Sequence, residues 1–210
     1  MSKSDTILQL KQVKVVAVLR GEHLDEGTNA AIACIKGGID CIEIAYTNPF
    51  ASDIIRHLNQ HYQDRPSVCI GAGTVLDSET AKSAIASGAK FIVSPSFNAQ
   101  AATLCNRYAI PYLPGCMTVT EMVTALEAGC EIIKLFPGNA LNGTIISSVK
   151  APLPQLTLMV TGGVSLDNAK KWLLKGADMI GIGSEFNKLA SKKEFEQITA
   201  IAKQYKELLR

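Results

Sequence analysis

Short runs of aliphatic and β-branched residues recur along the chain, separated by longer segments whose apolar positions follow a helical period. The runs are Val15–Arg20, Cys41–Tyr46, Val68–Thr74, Phe91–Ser96, Pro111–Cys116, Ile132–Gly138, Thr157–Gly163 and Met179–Glu185. Their starts lie 20 to 27 residues apart, about the length of one βα unit. The segments between them carry helix punctuation. Asp77 is placed to cap a helix over Ser78–Ser87 that Gly88 stops. Thr118 and Glu121 form a capping-box pair ahead of Val119–Ala128, which Gly129 stops. Near the end of the chain, Lys193–Leu209 sets Phe195, Ile198, Ile201, Tyr205 and Leu208 on one face, the pattern of an outer helix.

Eight strands alternating with helices predict a closed (β/α)8 TIM barrel or an open doubly wound sheet. The count of eight and the glycine-rich endings of the last two strands favour the barrel. No G-x-G-x-x-G motif follows the first strand, which runs into Leu19-Arg20-Gly21-Glu22. An extra N-terminal helix over Asp5–Gln12 is expected to close the barrel's bottom. No composition shift or long linker divides the chain, so residues 1–210 are expected to form a single barrel domain.

Composition narrows the class. Of 210 residues, 47% are hydrophobic and 19% charged, an ordinary balance for a folded chain. The net charge of +2 comes with no basic run or aromatic-studded stripe, so neither nucleic acid nor a membrane surface is expected as a partner. No apolar stretch reaches the length of a membrane span. Six cysteines without a C-x-x-C pair sit mostly in apolar runs. They read as buried hydrophobes in a reducing compartment, which places the protein in the cytoplasm by elimination.

In a barrel, functional groups gather at strand C-termini and on inward-facing positions. Two residues there are unusual: Lys134 within Ile132-Ile133-Lys134-Leu135-Phe136, and Glu43 within Cys41-Ile42-Glu43-Ile44-Ala45. Period two sets each charge on the face opposite its aliphatic neighbours. If those neighbours pack under the helices, both charges point into the barrel. A lone buried charge costs several kcal/mol, so the pair needs a purpose. One purpose is a structural salt bridge. The other is chemical, because burial favours the neutral amine of a lysine, the form that attacks a ketone, and a nearby glutamate can move protons. A second candidate site is an anion cradle made by Thr161-Gly162-Gly163 and Gly181-Ile182-Gly183-Ser184, the endings of strands seven and eight, where many barrels hold a phosphate. His57 and His61 share a helical spacing but have no third ligand, and read as surface residues. Trp172 reads as helix packing and Cys116 as lining.

In their order and spacing, Ile42-Glu43-Ile44, Gly71-Ala72-Gly73-Thr74-Val75, Ile92-Val93-Ser94-Pro95, Tyr112-Leu113-Pro114-Gly115, Lys134-Leu135-Phe136-Pro137 and Thr161-Gly162-Gly163-Val164 resemble the 2-keto-3-deoxy-6-phosphogluconate (KDPG) aldolases, which overlap with the 4-hydroxy-2-oxoglutarate (KHG) aldolases. The resemblance covers nearly the whole chain. It implies a class I aldolase acting on a small 2-keto acid, usually a homotrimer, with no metal or other cofactor. Lys134 would be the Schiff-base lysine and Glu43 the general acid/base. Thr74 and Pro95 would line the pocket for the pyruvate-derived half, with Phe136 beside the lysine. Gly162, Gly163, Gly183 and Ser184 would hold the distal phosphate, with Thr161 among the substrate-binding residues. Several family members carry an arginine four residues after the glutamate; here that position is Thr47. Others pair a threonine there with an arginine ending the first strand, which makes Arg20 the expected carboxylate anchor. Two rival readings share the scaffold: a phosphate-binding epimerase or isomerase using Glu43 as base, and a non-catalytic sugar-phosphate sensor. Both leave Lys134 unexplained.

Overall fold

A computed structural model of the chain describes residues 2–209. It opens with helix α1 (Lys3–Val13), capped by a reciprocal Ser2–Asp5 box. Strands and helices then alternate: β1 (Val15–Leu19), α2 (Leu24–Lys36), β2 (Cys41–Ala45), α3 (Ala51–His61), β3 (Cys69–Gly73), α4 (Ser78–Ala86), β4 (Ile92–Val93) and α5 (Ala99–Arg107). Next come β5 (Tyr112–Leu113), β6 (Gly115–Cys116), α6 (Val119–Glu127), β7 (Ile133–Leu135), a 3₁₀ turn (Gly138–Ala140) and α7 (Thr144–Lys150). The chain finishes with β8 (Leu158–Thr161), α8 (Leu166–Leu174), β9 (Met179–Ile182), α9 (Ser184–Ala190) and α10 (Phe195–Leu208). Asp77 caps α4 through Thr80, and Thr118 with Glu121 boxes α6, as their spacing predicts.

The described residues form a parallel sheet of nine strands in the order β5-β4-β3-β2-β1-β9-β8-β7-β6. Its two ends are one stretch of chain. The fifth predicted strand is split at Pro114, whose missing N–H cannot serve a ladder. Before the proline, Leu113 pairs with Val93 on β4; after it, Gly115 pairs with Lys134 on β7. The Pro114 carbonyl accepts the Lys134 N–H at 2.9 Å. The single strand thus changes partners at its midpoint and closes the (β/α)8 barrel.

Element ends also differ from the sequence reading, the strands being in general shorter. The last strand stops at Ile182 instead of running to Glu185, because Ser184 already begins α9. The C-terminal helix begins at Phe195 and buries Ile198, Ala202 and Tyr205, with Ile201 and Leu208 half-buried beside them.

Period two along the strands sorts the core into two layers. Ile42, Ile44, Ile133, Leu135, Val160 and Ile180 face outward under the helices. Val16, Cys41, Cys69, Phe91, Ile132, Met159 and Met179 face inward and meet Ile7 and Leu10 of α1. The N-terminal helix therefore plugs the barrel's lower end with apolar side chains. The candidate site residues sit above this plug, toward the strand C-termini.

Candidate active site

On β2, Cys41 belongs to the inner apolar layer, so Glu43 two residues on also faces inward and one step higher. On β7 the same alternation carries Lys134 inward above Ile132. Both are buried, Glu43 at 0% and Lys134 at 6% exposure. Among the described residues no direct ion pair joins them; the ion pairs present are Arg56–Asp53, Arg65–Asp40 and Lys150–Asp178. Neither carboxylate oxygen of Glu43 has a hydrogen-bond partner. Burial pushes its carboxyl above the ordinary carboxylate range, and the positive charges of Lys134 and Arg20 pull in the opposite direction without cancelling that effect. Room for the carboxylate comes from β3, where a Cβ at Gly73 would overlap it.

Lys134 opens onto a cavity of about 240 Å³ at the C-terminal end of the barrel. Val18, Arg20, Phe136, Thr161, Gly162, Gly163, Val164, Gly181, Gly183, Ser184 and Asn187 complete its lining. The Lys134 ammonium lies 5.0 Å from the centre of the Phe136 ring. Arg20 and Lys134 are the charged groups on this wall, both cationic, so the cavity suits an anion. The Gly162–Gly163 turn has φ of +90° and +73°, a left-handed path that glycine follows without strain and that opens main-chain N–H groups to a ligand. Thr161 contributes a buried hydroxyl with no protein partner.

Eight of the twelve residues singled out from the sequence thus share one cavity wall: Arg20, Lys134, Phe136, Thr161, Gly162, Gly163, Gly183 and Ser184. The other four lie outside that lining. Glu43 is enclosed behind it, Thr47 is exposed in the turn after β2, and Thr74 and Pro95 are half-buried just past β3 and β4. Thr74 has φ +55°, an unfavourable conformation for a β-branched residue, of the kind that collects at functional sites.

Asn187 is part of the wall and has no counterpart in the sequence reading. Its side chain bonds main-chain groups of β1, a contact that no local pattern announces. Asn48, buried in the turn after β2, donates to the Arg20 carbonyl at 3.3 Å. His57 and His61 are exposed, stacked with centroids 6.1 Å apart, and among the described residues no cluster of three metal-ligating side chains occurs. Trp172 is half-buried in α8, and burial pushes the Cys116 thiol up to about 12.

The profile of the KDPG and KHG aldolases matches residues 6–201. A 2-dehydro-3-deoxy-phosphogluconate aldolase of Treponema pallidum is 34% identical over 93% of this chain and 93% of its own length. A 2-dehydro-3-deoxy-6-phosphogalactonate aldolase of Escherichia coli is 33% identical over 93% of this chain and 96% of its own. Among solved structures, the KDPG aldolase of Legionella pneumophila, with pyruvate captured as a covalent carbinolamine intermediate, has a TM-score of 0.86 at 25% identity. That match covers 94% of this chain and 96% of the other.

Proposed function

The chain belongs to the KDPG and KHG aldolase family, and from that premise we propose that it is a class I aldolase using Lys134 as its Schiff-base nucleophile. Its substrates on this reading are 2-keto-3-deoxy-6-phosphogluconate, cleaved to pyruvate and glyceraldehyde 3-phosphate, and 4-hydroxy-2-oxoglutarate, cleaved to pyruvate and glyoxylate. The observation that carries it is the pair of inward charges: a lysine opening onto an anion-suited cavity, and an unpaired buried glutamate behind it. A structural salt bridge would have joined the two directly.

The chemistry follows from these groups. The Lys134 amine attacks the C2 ketone, and Glu43, whose burial raises its affinity for a proton, delivers that proton to the carbinolamine oxygen. Water leaves and an iminium remains. The C4 hydroxyl gives up its proton to Glu43, directly or through one water. The C3–C4 bond breaks, its electron pair passes to the iminium as an enamine, and the aldehyde departs. Protonation of the enamine at C3 and hydrolysis release pyruvate and restore Lys134. The nitrogen cation serves as the electron sink, so the mechanism calls on no metal or organic cofactor.

Arg20 would anchor the keto acid's carboxylate through its two-pronged guanidinium, with Thr47 nearby in the sequence pattern. Thr74 and Pro95 would face the pyruvate-derived carbons and Phe136 would pack beside the imine. Thr161, Gly162, Gly163, Gly183 and Ser184 would hold the distal anion, supported by their shared cavity wall. The reading also takes the 210 residues as one barrel domain, acting as a homotrimer in the cytoplasm; the family resemblance supports the trimer, and the six free cysteines support a reducing compartment.

Borohydride reduction in the presence of excess pyruvate, followed by peptide mass spectrometry, tests the proposal. A pyruvate-derived adduct on Lys134 is the expected result. No adduct on a folded sample would remove the class I reading, and an adduct on another lysine would remove this assignment.

A further inference from the structure

The first and last strands of the barrel are neighbours, but their ladder is incomplete. Val15, Val16 and Ala17 of β1 pair with Ile180, Gly181 and Ile182 of β9. The next steps would require β9 to continue opposite Leu19, and there the chain has already turned through Gly183 into α9. The free edge groups left on β1 are the Val18 carbonyl and the Arg20 N–H. In a parallel sheet those two groups are served by a single residue opposite, which donates to one and accepts from the other.

The side chain of Asn187 fills that place. Its Nδ2 donates to the Val18 carbonyl at 2.9 Å, and its Oδ1 accepts the Arg20 N–H at 2.7 Å. The remaining Nδ2 hydrogen goes to the Gly183 carbonyl at 2.7 Å. A primary amide carries donor and acceptor in the geometry of a peptide unit, so asparagine extends the ladder by one step where the backbone does not. On the other side of Arg20, Asn48 donates to its carbonyl.

We propose that Asn187 is a positioning residue that ties the end of β1 to the β9–α9 turn, so that Arg20 and the Gly183–Ser184 wall act as one unit on a substrate with an anion at each end. The inference rests on the aldolase reading for its substrate and on the hydrogen bonds alone for its structural part. Without the amide, two main-chain groups at the strand end lose their partners, and the Arg20 guanidinium loses the fixed backbone from which it reaches the cavity.

Two variants test this. Asn187→Leu keeps the volume and removes all three bonds; Asn187→Asp keeps an acceptor for the Arg20 N–H and loses both donors. Amide hydrogen exchange is read at Arg20 and, as an internal control, at Ala17, alongside steady-state kinetics on the phosphorylated six-carbon substrate. The expected result for Asn187→Leu is exchange at Arg20 accelerated by about tenfold or more with Ala17 unchanged. KM should rise by about tenfold while kcat falls less than about threefold. Asn187→Asp should give the same KM-dominated pattern, with a smaller change in exchange at Arg20. Combined with Arg20→Ala, the Asn187→Leu effect on KM should shrink, because part of it acts through that side chain.

Unchanged exchange at Arg20 overturns the inference. So does faster exchange without a change in KM, or a loss confined to kcat, each of which leaves Asn187 with no part in substrate positioning. Should Asn187→Leu fail to fold, Asn187→Asp decides by the same criteria. Failure of wild-type protein to form the pyruvate adduct would overturn the aldolase reading instead, and the exchange result at Arg20 would stand apart from it.

Discussion

Replacing Glu43 by Gln separates the electrostatics of the site from its packing. The carboxylate is wholly buried, neither oxygen is hydrogen-bonded, and Lys134 and Arg20 act on it only through space, so its pKa lies above the ordinary 4.5. The unfolded chain holds the same proton with ordinary affinity. Above pH of about 4.5 the folded state therefore binds more protons than the unfolded state, and stability falls as pH rises toward the raised pKa. Over that interval this one group costs about 1.4 kcal/mol per pH unit. Glutamine keeps the shape and an unpartnered polar head but cannot ionise, so the variant lacks that slope.

At about 2–4 °C per kcal/mol for a chain of this length, Glu43→Gln should melt above wild type at pH 8, by roughly 3–6 °C for each pH unit over which that slope applies. Near pH 5 the two should nearly coincide. Trp172, the sole tryptophan, reports unfolding by fluorescence, with protein concentration held fixed across the series. Turnover, measured in parallel, should fall by about a hundredfold or more as the proton carrier is lost. Melting temperatures that run parallel from pH 5 to 8 would refute the burial argument. Retained turnover in a stabilised variant would remove Glu43 from proton transfer.

Three other substitutions probe separate parts of the barrel. Ser184→Ala should raise KM for the phosphorylated substrate by about fivefold, as one hydrogen bond is lost, and leave 4-hydroxy-2-oxoglutarate less affected; an equal effect on both would count against the anion wall. Leu10→Ala empties the centre of the lower plug and should cost about 2–5 kcal/mol, read as a drop of roughly 4–20 °C in Tm, with kcat within about twofold because the proposed site lies at the other end. A wild-type Tm would mean the plug carries little of the fold. Thr74→Gly relieves a left-handed β-branched residue and should raise Tm by a degree or more while weakening pyruvate capture in the borohydride assay. A lower Tm would show that the backbone there is held without strain.

The parts of the site that sequence made legible are those with high energetic stakes. Glu43 and Lys134 stand out because an ionised group amid strand aliphatics has no inexpensive resting place, so alternation alone assigns them to the inner face. Gly162 and Gly163 stand out for a related reason, since adjacent glycines at a strand end mark backbone that a side chain would obstruct. Strand limits were less visible. They depend on where a neighbour's ladder ends, which is why Pro114 divides one strand into two and why Ser184 belongs to a helix.

Asn187 illustrates the opposite case. An asparagine early in a polar helix has the same local appearance whether it faces water or completes a sheet. Its partner Val18 is 169 residues away along the chain. The energetic difference is that of two or three hydrogen bonds, modest beside the cost of burying a lysine, and it leaves no trace in periodicity or composition. The division has a physical basis in this fold: charges placed against the apolar pattern mark the candidate site, whereas the neutral amides that hold the Arg20 main chain at the end of β1 emerge only once the strands are in register. Arg20 lies on that boundary. Its place at a strand end was legible, but the wall it shares with Gly183 and Ser184 follows from the adjacency of β1 and β9, and the two asparagines bracketing its peptide make that adjacency usable.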